Sequence, residues 1–265
     1  MTGENKRIRV GIVQPDIRFG DVDENIHQVC GYLDDLGKRG ADLALLPELW
    51  SCGFDNDHLS VHAEKTPAIL EKLSKIASAH QMLIAGSLPE KEGKSIYNTL
   101  YLHEKDGRLA TSYRKVHLFS FAGEDRFFKS GERAVLSNTS IGRIGLMICY
   151  DLRFPELCRK LVVQGAHMIL VSAQWPTPRT PHWDALIKAR AIENQVFMIA
   201  SNRRGRDVTN EYSGHSQIVS PSGEVLAMTE SDQAILEKEI DLRDIDRVRK
   251  AMPCLEERRP DVYGK

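Results

Sequence analysis

Ile144-Gly145-Leu146-Met147-Ile148-Cys149 is the stretch on which the fold turns. A continuous apolar run of this length suits a strand covered on both faces, and it ends abruptly on a thiol. A helix is predicted over residues 155–164, opened by Pro155 and stopped by Gly165. A second apolar run, residues 168–172, reads as another strand. Strand, helix and strand in this order build a parallel sheet with helices on its face. The order also occurs earlier in the chain. Residues 43–46 form a short buried run, Thr66-Pro67 carries a hydroxyl cap and a first-turn proline, and residues 82–86 read as a strand. That earlier helix is expected to turn Leu70, Leu73, Ile76 and Ala77 inward.

Outward from these two units the pattern stays mixed. Residues 8–14 read as a strand. Ile26, Val29, Leu33 and Leu36 recur at helical spacing over residues 21–39, with Gly40 as the stop. Residues 96–103 and 109–115, joined at Asp106-Gly107, read as a hairpin. A second hairpin spans residues 134–148 and turns near Ile141-Gly142. Thr180-Pro181 opens a helix to about Asn194. Strands are expected at 196–201, 217–219, 224–228 and 234–240, with a turn at Pro221-Ser222-Gly223. The two strand–helix–strand units lie in different halves, which implies two packed sheets with helices outside: a mixed α/β layered fold. No repeat, low-complexity tract or Pro/Ser-rich linker divides the chain, so residues 1–265 read as one domain.

Composition narrows the function. The 36 basic and 37 acidic residues nearly cancel, leaving no general attraction to nucleic acid or anionic lipid. A local basic pocket for a small anion stays open. Cys30, Cys52, Cys149, Cys158 and Cys254 include no CxxC pair, which argues against a zinc ribbon and for free thiols in a reducing cytoplasm. The polar start, Met1 to Arg9, has no signal-peptide core, and no apolar stretch is long enough to span a bilayer.

Three polar residues stand where strands are expected to finish: Glu48, Lys115 and Cys149. Ligands bind at the carboxyl ends of strands in open α/β sheets. A thiol attacks an amide carbonyl only once deprotonated, the resulting oxyanion needs a fixed cation or N–H donor, and the leaving amine needs a proton. Glu48 as base and acid, Lys115 as oxyanion clamp and Cys149 as nucleophile complete that set without metal or cofactor. Singly, each has an ordinary reading: inert buried cysteine, loop glutamate, solvated lysine. A metal reading on Cys52, His58 and His62 is also available from the i, i+4 histidines. It lacks the intervening glutamate of HExxH and a fourth ligand, so no metal is expected.

The words around the three residues resemble those of the nitrilase superfamily of carbon–nitrogen hydrolases. Leu46-Pro47-Glu48 is similar to its glutamate motif, residues 113–119 (YRKVHLF) to its lysine motif, and residues 145–156 (GLMICYDLRFPE) to its cysteine motif. The resemblance spans nearly the whole chain. It implies a four-layer α-β-β-α sandwich, a thioester intermediate and a homodimer or higher homo-oligomer, with the tail 241–265 contributing to dimer contacts. It also implies that Glu124 orients the lysine and substrate, and that the Tyr150 N–H completes the oxyanion hole. His182-Trp183 and residues 190–195 match a helix that serves scaffold and dimer contact. Arg153 and Glu156 are expected to form an ion pair near the nucleophile.

Tyr150-Asp151, in place of Trp-Glu, resembles the amidase branches. Residues 173–176 (AQWP) and 213–216 (SGHS) resemble the ω-amidases, which act on α-ketoglutaramate and related ω-amides. Such a substrate needs an arginine for its carboxylate. Arg153, Arg179, Arg203 and Arg204 are the candidates, and Trp175 is either an apolar wall or core. His117 is expected to be packed or hydrogen-bonded. An amidase for deaminated glutathione or an N-carbamoyl compound, and a catalytically silent binding module, are the alternatives.

Overall fold

The computed structural model describes residues 7–230 and 232–263; residues 1–6, which hold most of the polar start, and the last two of the tail lie outside them. In chain order the elements are β1 (Arg7–Val13), α1 (Val22–Lys38), β2 (Leu43–Leu45), α2 (Leu59–His80), β3 (Leu83–Glu92), β4 (Ser95–His103), β5 (Leu109–Arg114), β6 (Leu136–Thr139) and β7 (Gly142–Ile148). They continue with α3 (Pro155–Val163), β8 (Met168–Ala173), α4 (Thr180–Asn194), β9 (Phe197–Asn202), β10 (Arg204–Arg206), β11 (Glu211–Ser213), β12 (Gln217–Val219), β13 (Val225–Met228), β14 (Ile235–Asp241) and α5 (Arg243–Ala251). One six-stranded sheet has the order β14-β1-β2-β3-β4-β5, the other β13-β12-β9-β8-β7-β6, and β10 pairs with β11 apart from both.

The apolar runs explain the layering. In β2, Leu43 and Leu45 join the core between the sheets, while Ala44 and the following Leu46 join the core under α1 and α2. Successive strand side chains point to opposite faces, so a strand with both faces covered must be apolar throughout. Each such Leu or Ile contributes about 1.5–3 kcal/mol by leaving water. On the second sheet, β8 is buried at every position, between the first sheet and the α3–α4 layer. The result is the expected α-β-β-α sandwich.

Direction matters more for the site. β1, β2 and β3 run parallel. β4 is antiparallel to β3, and β5 to β4, so β5 runs the same way as β2. Their carboxyl ends therefore share one edge. In the other sheet β7, β8 and β9 are parallel and finish at Cys149, Gln174 and Arg203. Hydrogen bonds cross between the layers near that edge: the Ser172 hydroxyl donates to the Leu46 carbonyl at 2.8 Å, and Ser201 to Val13 at 2.9 Å.

Some expectations are corrected. α2 begins at Leu59, not at Thr66, and Pro67 lies inside it on the exposed side. The Thr66 hydroxyl is not a cap; it donates to the Pro89 carbonyl of β3 at 2.6 Å. A proline costs the helix one N–H donor, which tertiary packing of Leu59, Ala63, Ile69 and Leu73 offsets. Thr180 is the first residue of α4 rather than its cap, its hydroxyl donating back to Thr177 at 2.9 Å. The run expected at 82–86 extends to Glu92 and forms a long hairpin with β4. The β10–β11 ribbon and α5 carry too few apolar residues to be read from sequence. Ile245 is the buried residue of α5, with Val248 and Arg249 half-buried beside it.

Candidate active site

Glu48, Lys115 and Cys149 meet at the shared edge. Lys115 Nζ donates to Glu48 Oε1 at 2.7 Å and to both oxygens of Glu124 at 2.8 Å. Lys115 is 2% exposed, Glu48 0% and Glu124 4%. Burial alone would pull the Lys115 pKa down; the Glu124 and Glu48 carboxylates and the Cys149 sulfur reverse this and hold the ammonium charged. Burial pushes the Glu48 carboxyl up, with Lys115 opposing. Burial and the Glu48 charge also keep the Cys149 thiol well above its ordinary range, despite Lys115. Cys149 thus rests as a thiol beside a carboxylate of raised basicity. Cys149 is half-buried and lines the cavity that leads to solvent.

Each group is held by its surroundings. The Gln174 N–H donates to Glu48 Oε2 at 3.0 Å, and its side-chain amide to the Glu48 carbonyl at 2.7 Å. Asn98 Nδ2 donates to Glu48 Oε1 at 2.8 Å and Glu124 Oε1 at 3.4 Å, while its Oδ1 accepts from Ser87. The Phe119 N–H donates to Glu124 Oε2 at 2.7 Å. Sequence reading did not single out Asn98 or Ser87. The available signal was a carboxamide within the otherwise strand-forming run of β4, where asparagine is disfavoured.

The nucleophile turn is strained and braced. Cys149 has φ 45°, and Leu49, just after Glu48, has φ 41°. Such values in non-glycine residues persist where neighbours enforce them, and they cluster at functional sites. Asp151, fully buried, accepts from the Ile148 N–H (2.9 Å), the Tyr113 hydroxyl (2.7 Å), the His117 N–H (3.0 Å) and His117 Nδ1 (2.8 Å). It ties the lysine loop to the cysteine turn. His117 is hydrogen-bonded and stacked on Phe154 at 3.7 Å, as expected. Residues 149–153 form a single 3₁₀ turn, which leaves the Tyr150 N–H without an intrahelical acceptor. Arg190 of α4 donates to the Leu152 carbonyl at 2.9 and 3.1 Å, a scaffold contact.

A cavity of about 480 Å³ opens over Cys149, lined among others by Lys115, Glu124, Tyr150, Arg153, Trp175 and Arg179. The four arginines differ in whether they line it. Arg203 is fully buried and committed to the carbonyls of Ile17, Arg204 and Arg206, to Gln174 and to Asp16. Arg204 continues into β10 and does not reach the cavity. Arg153 and Arg179 remain. Among the described residues no ion pair joins Arg153 to Glu156. Arg153 instead lies 4.7 Å above the Trp175 ring and contacts His182 at 3.3 Å. Glu156 lies in the exposed first turn of α3, while the Arg153 guanidinium is held over the aromatic ring of Trp175. Trp175 is both wall and core: it lines the cavity, packs 5.4 Å from Trp183 and donates to the Arg179 carbonyl at 2.7 Å. The metal reading loses Cys52, a buried residue whose thiol donates to the adjacent Gly53 carbonyl.

Residues 9–250 match the carbon–nitrogen hydrolase family. The chain belongs to that family. It is 38% identical to the 2-oxoglutaramate amidase of Bacillus subtilis over 257 residues, covering 96% of this chain and 98% of that one. It is 34% identical to the ω-amidase NIT2 of Bos taurus, covering 91% of each. A carbon–nitrogen hydrolase from Helicobacter pylori has the same fold (TM-score 0.93, 27% identity, 98% of this chain and 97% of that one). So has Nit3 of Saccharomyces cerevisiae, a nitrilase-superfamily member (TM-score 0.88, 29% identity, 96% and 97%). The sandwich of this hydrolase is the fold that these relatives share.

Proposed function

We propose that this hydrolase is a thiol amidase of the ω-amidase type, converting α-ketoglutaramate or a similar ω-amide of a keto or dicarboxylic acid to the acid and ammonia. The reading is carried by one observation: a buried ammonium clamped between Glu48 and Glu124 beside a thiol that lines a small cavity. Glu48 takes the Cys149 proton as sulfur attacks the amide carbon. Lys115 and the Tyr150 N–H stabilise the oxyanion. The tetrahedral intermediate collapses to a thioester, and Glu48 returns the proton to the departing ammonia. Water, deprotonated by Glu48, then attacks the thioester, releasing the carboxylate and restoring the thiol. Glu124 positions Lys115. Arg153 and Arg179, at the cavity wall, bind the remote carboxylate, and Trp175 and Tyr150 face its carbon chain.

The names of the relatives support this substrate class. We place the protein in the cytoplasm as a homodimer, supported by its five free cysteines and by apolar side chains left exposed on α3, α4 and the tail. Among the described residues no helix is long and apolar enough to cross a membrane. Ammonia release across a panel of small amides, scored by kcat/KM, tests the assignment. α-Ketoglutaramate should lead deaminated glutathione and N-carbamoyl compounds, and Cys149→Ala should abolish turnover with an unchanged circular dichroism spectrum. No ammonia from any ω-amide of a keto acid would reject the substrate class. Undiminished turnover by Cys149→Ala would reject the mechanism.

A further inference from the structure

Away from the catalytic residues, Asp55, His58 and His62 converge between β2 and α2. His58 Nδ1 lies 3.0 and 3.1 Å from the two Asp55 oxygens, and His62 Nε2 lies 2.7 Å from Oδ2. The three donor atoms lie within 4.8 Å of one another. We propose that Asp55, His58 and His62 form a binding site for a divalent transition-metal ion, zinc by ligand chemistry, that clips the chain beside the catalytic cavity.

Two imidazoles and a carboxylate are a donor set that zinc accepts, with bonds of about 2.0–2.2 Å to each. Tetrahedral angles at those lengths put ligand atoms about 3.3 Å apart. The two Asp55–histidine spacings, 3.0 and 2.7 Å, must widen by about 0.3–0.6 Å to reach that separation, and the His58 side chain, 67% exposed, has room to adjust both to Asp55 and to His62. The exposed side leaves room for a water or another ligand in the fourth position. The other two groups are fixed. The His62 and Asp55 side chains are 7% and 10% exposed. His62 Nδ1 is buried without a hydrogen-bond partner among the described residues, so the ring hydrogen-bonds through Nε2 to Asp55, and the His58 ring meets it edge-on at 6.2 Å. A buried imidazole thus turns its one engaged nitrogen into the cluster.

The location gives the site a consequence. Phe54 and Asn56, on either side of Asp55 in the chain, both line the catalytic cavity. Asp55 Oδ2 also packs over Gly20, close enough that an added Cβ would meet it at 2.8 Å. A bound ion would fasten the first turns of α2 to this segment and hold that wall.

The test uses full-length Cys149→Ala protein, so that the nucleophile cannot itself take the metal. Equilibrium dialysis against zinc, with metal analysis, should find one ion per chain. His58→Ala, at an exposed side chain where folding is not at stake, should weaken binding by at least about tenfold, since even outer-shell losses cost 10–100-fold. His62→Ala should do the same, and zinc should raise the melting temperature only when both histidines are present. Cobalt in place of zinc should show ligand-field bands without a sulfur-to-metal charge-transfer band. Absence of bound zinc, equal binding by His58→Ala, or a thiolate band from Cys52 would each overturn the proposal.

Discussion

At the residue scale the deciding fact is a charge arrangement that stability does not explain. Two carboxylates and one ammonium sit in the interior, with net negative charge. Moving each ion from water costs several kcal/mol, and mutual attraction returns this only with good geometry and full hydrogen bonding. Here the hydrogen bonding is full: Asn98, Gln174 and the Phe119 N–H occupy the remaining acceptor positions. The desolvation that raises Glu48 also makes it a stronger base. The sign for activity follows. Glu48 works ionised and its pKa is displaced upward, so kcat/KM should fall with acidification at a higher pH than an ordinary carboxylate near 4.3 would give. Glu48→Gln should lower kcat by about 10²–10⁴-fold, the usual worth of a positioned proton-transfer group, and should remove that acid limb. A pH–rate profile of both proteins checks this; an unshifted limb in the variant would assign it to another group. Glu48, Lys115 and Cys149 were legible because each follows a strand-like run and carries a family-like motif around it; Glu124, in a 3₁₀ turn, was legible only through the resemblance. Asn98 was not, because it lies within β4 and only the folded hairpin sets it against Glu48.

At the scale of elements, the turn after β7 is the most constrained piece of the fold. The Asp151 carboxylate accepts hydrogen bonds from four donors and offers none. Asn in its place would turn an NH₂ against at least one buried donor, and each unsatisfied group costs about 1–3 kcal/mol. Asp151→Asn should therefore lower the melting temperature by several degrees, roughly 2–4 °C per kcal/mol for a chain of this size. It should also reduce kcat more than it raises KM, because it loosens the Cys149 turn and the lysine loop together. Calorimetry and steady-state kinetics on one preparation read both; an unchanged kcat would confine Asp151 to stability. Gly131 makes a similar point: an added Cβ would meet the Arg114 carbonyl at 2.1 Å, just before Lys115. Local signals explain what was readable here. The capped, strongly periodic α1 was predicted almost to its ends. The start of α2 was misplaced because Thr66-Pro67 imitates a first turn, while the actual first turn at Leu59 has no side-chain cap.

For the whole molecule, two sheets are joined by more than apolar contact. The Ser172, Ser201 and Gln174 bonds cross between residues more than 100 positions apart, so the site forms only when both halves have folded. No sequence pattern specifies such pairings; they follow from the facing of β1 and β2, with the residues just after β2, against β8 and β9. Outside the sheets, Val163 and Ile192 remain 54% exposed on α3 and α4, and Met252 remains 62% exposed after α5. The Gln195 amide that follows α4 donates to the Met252 carbonyl at 2.6 Å, which places the tail beside that helix. Water-exposed aliphatics on one layer are what a partner subunit would cover, and a stable dimer buries about 1,200–2,000 Å² of total surface from the two subunits together. Sedimentation at micromolar concentration should therefore find a dimer. Val163→Asp combined with Ile192→Asp should shift it toward monomer, since two unpaired carboxylates cannot be buried cheaply. Neither residue lines the cavity, so alkylation of Cys149 should proceed at an unchanged rate in the variant. A wild-type monomer, or a variant that stays dimeric, would move the interface off the α3–α4 layer. A dissociated variant with a slowed thiol would instead show that the second subunit braces the nucleophile turn through Arg190 and Leu152.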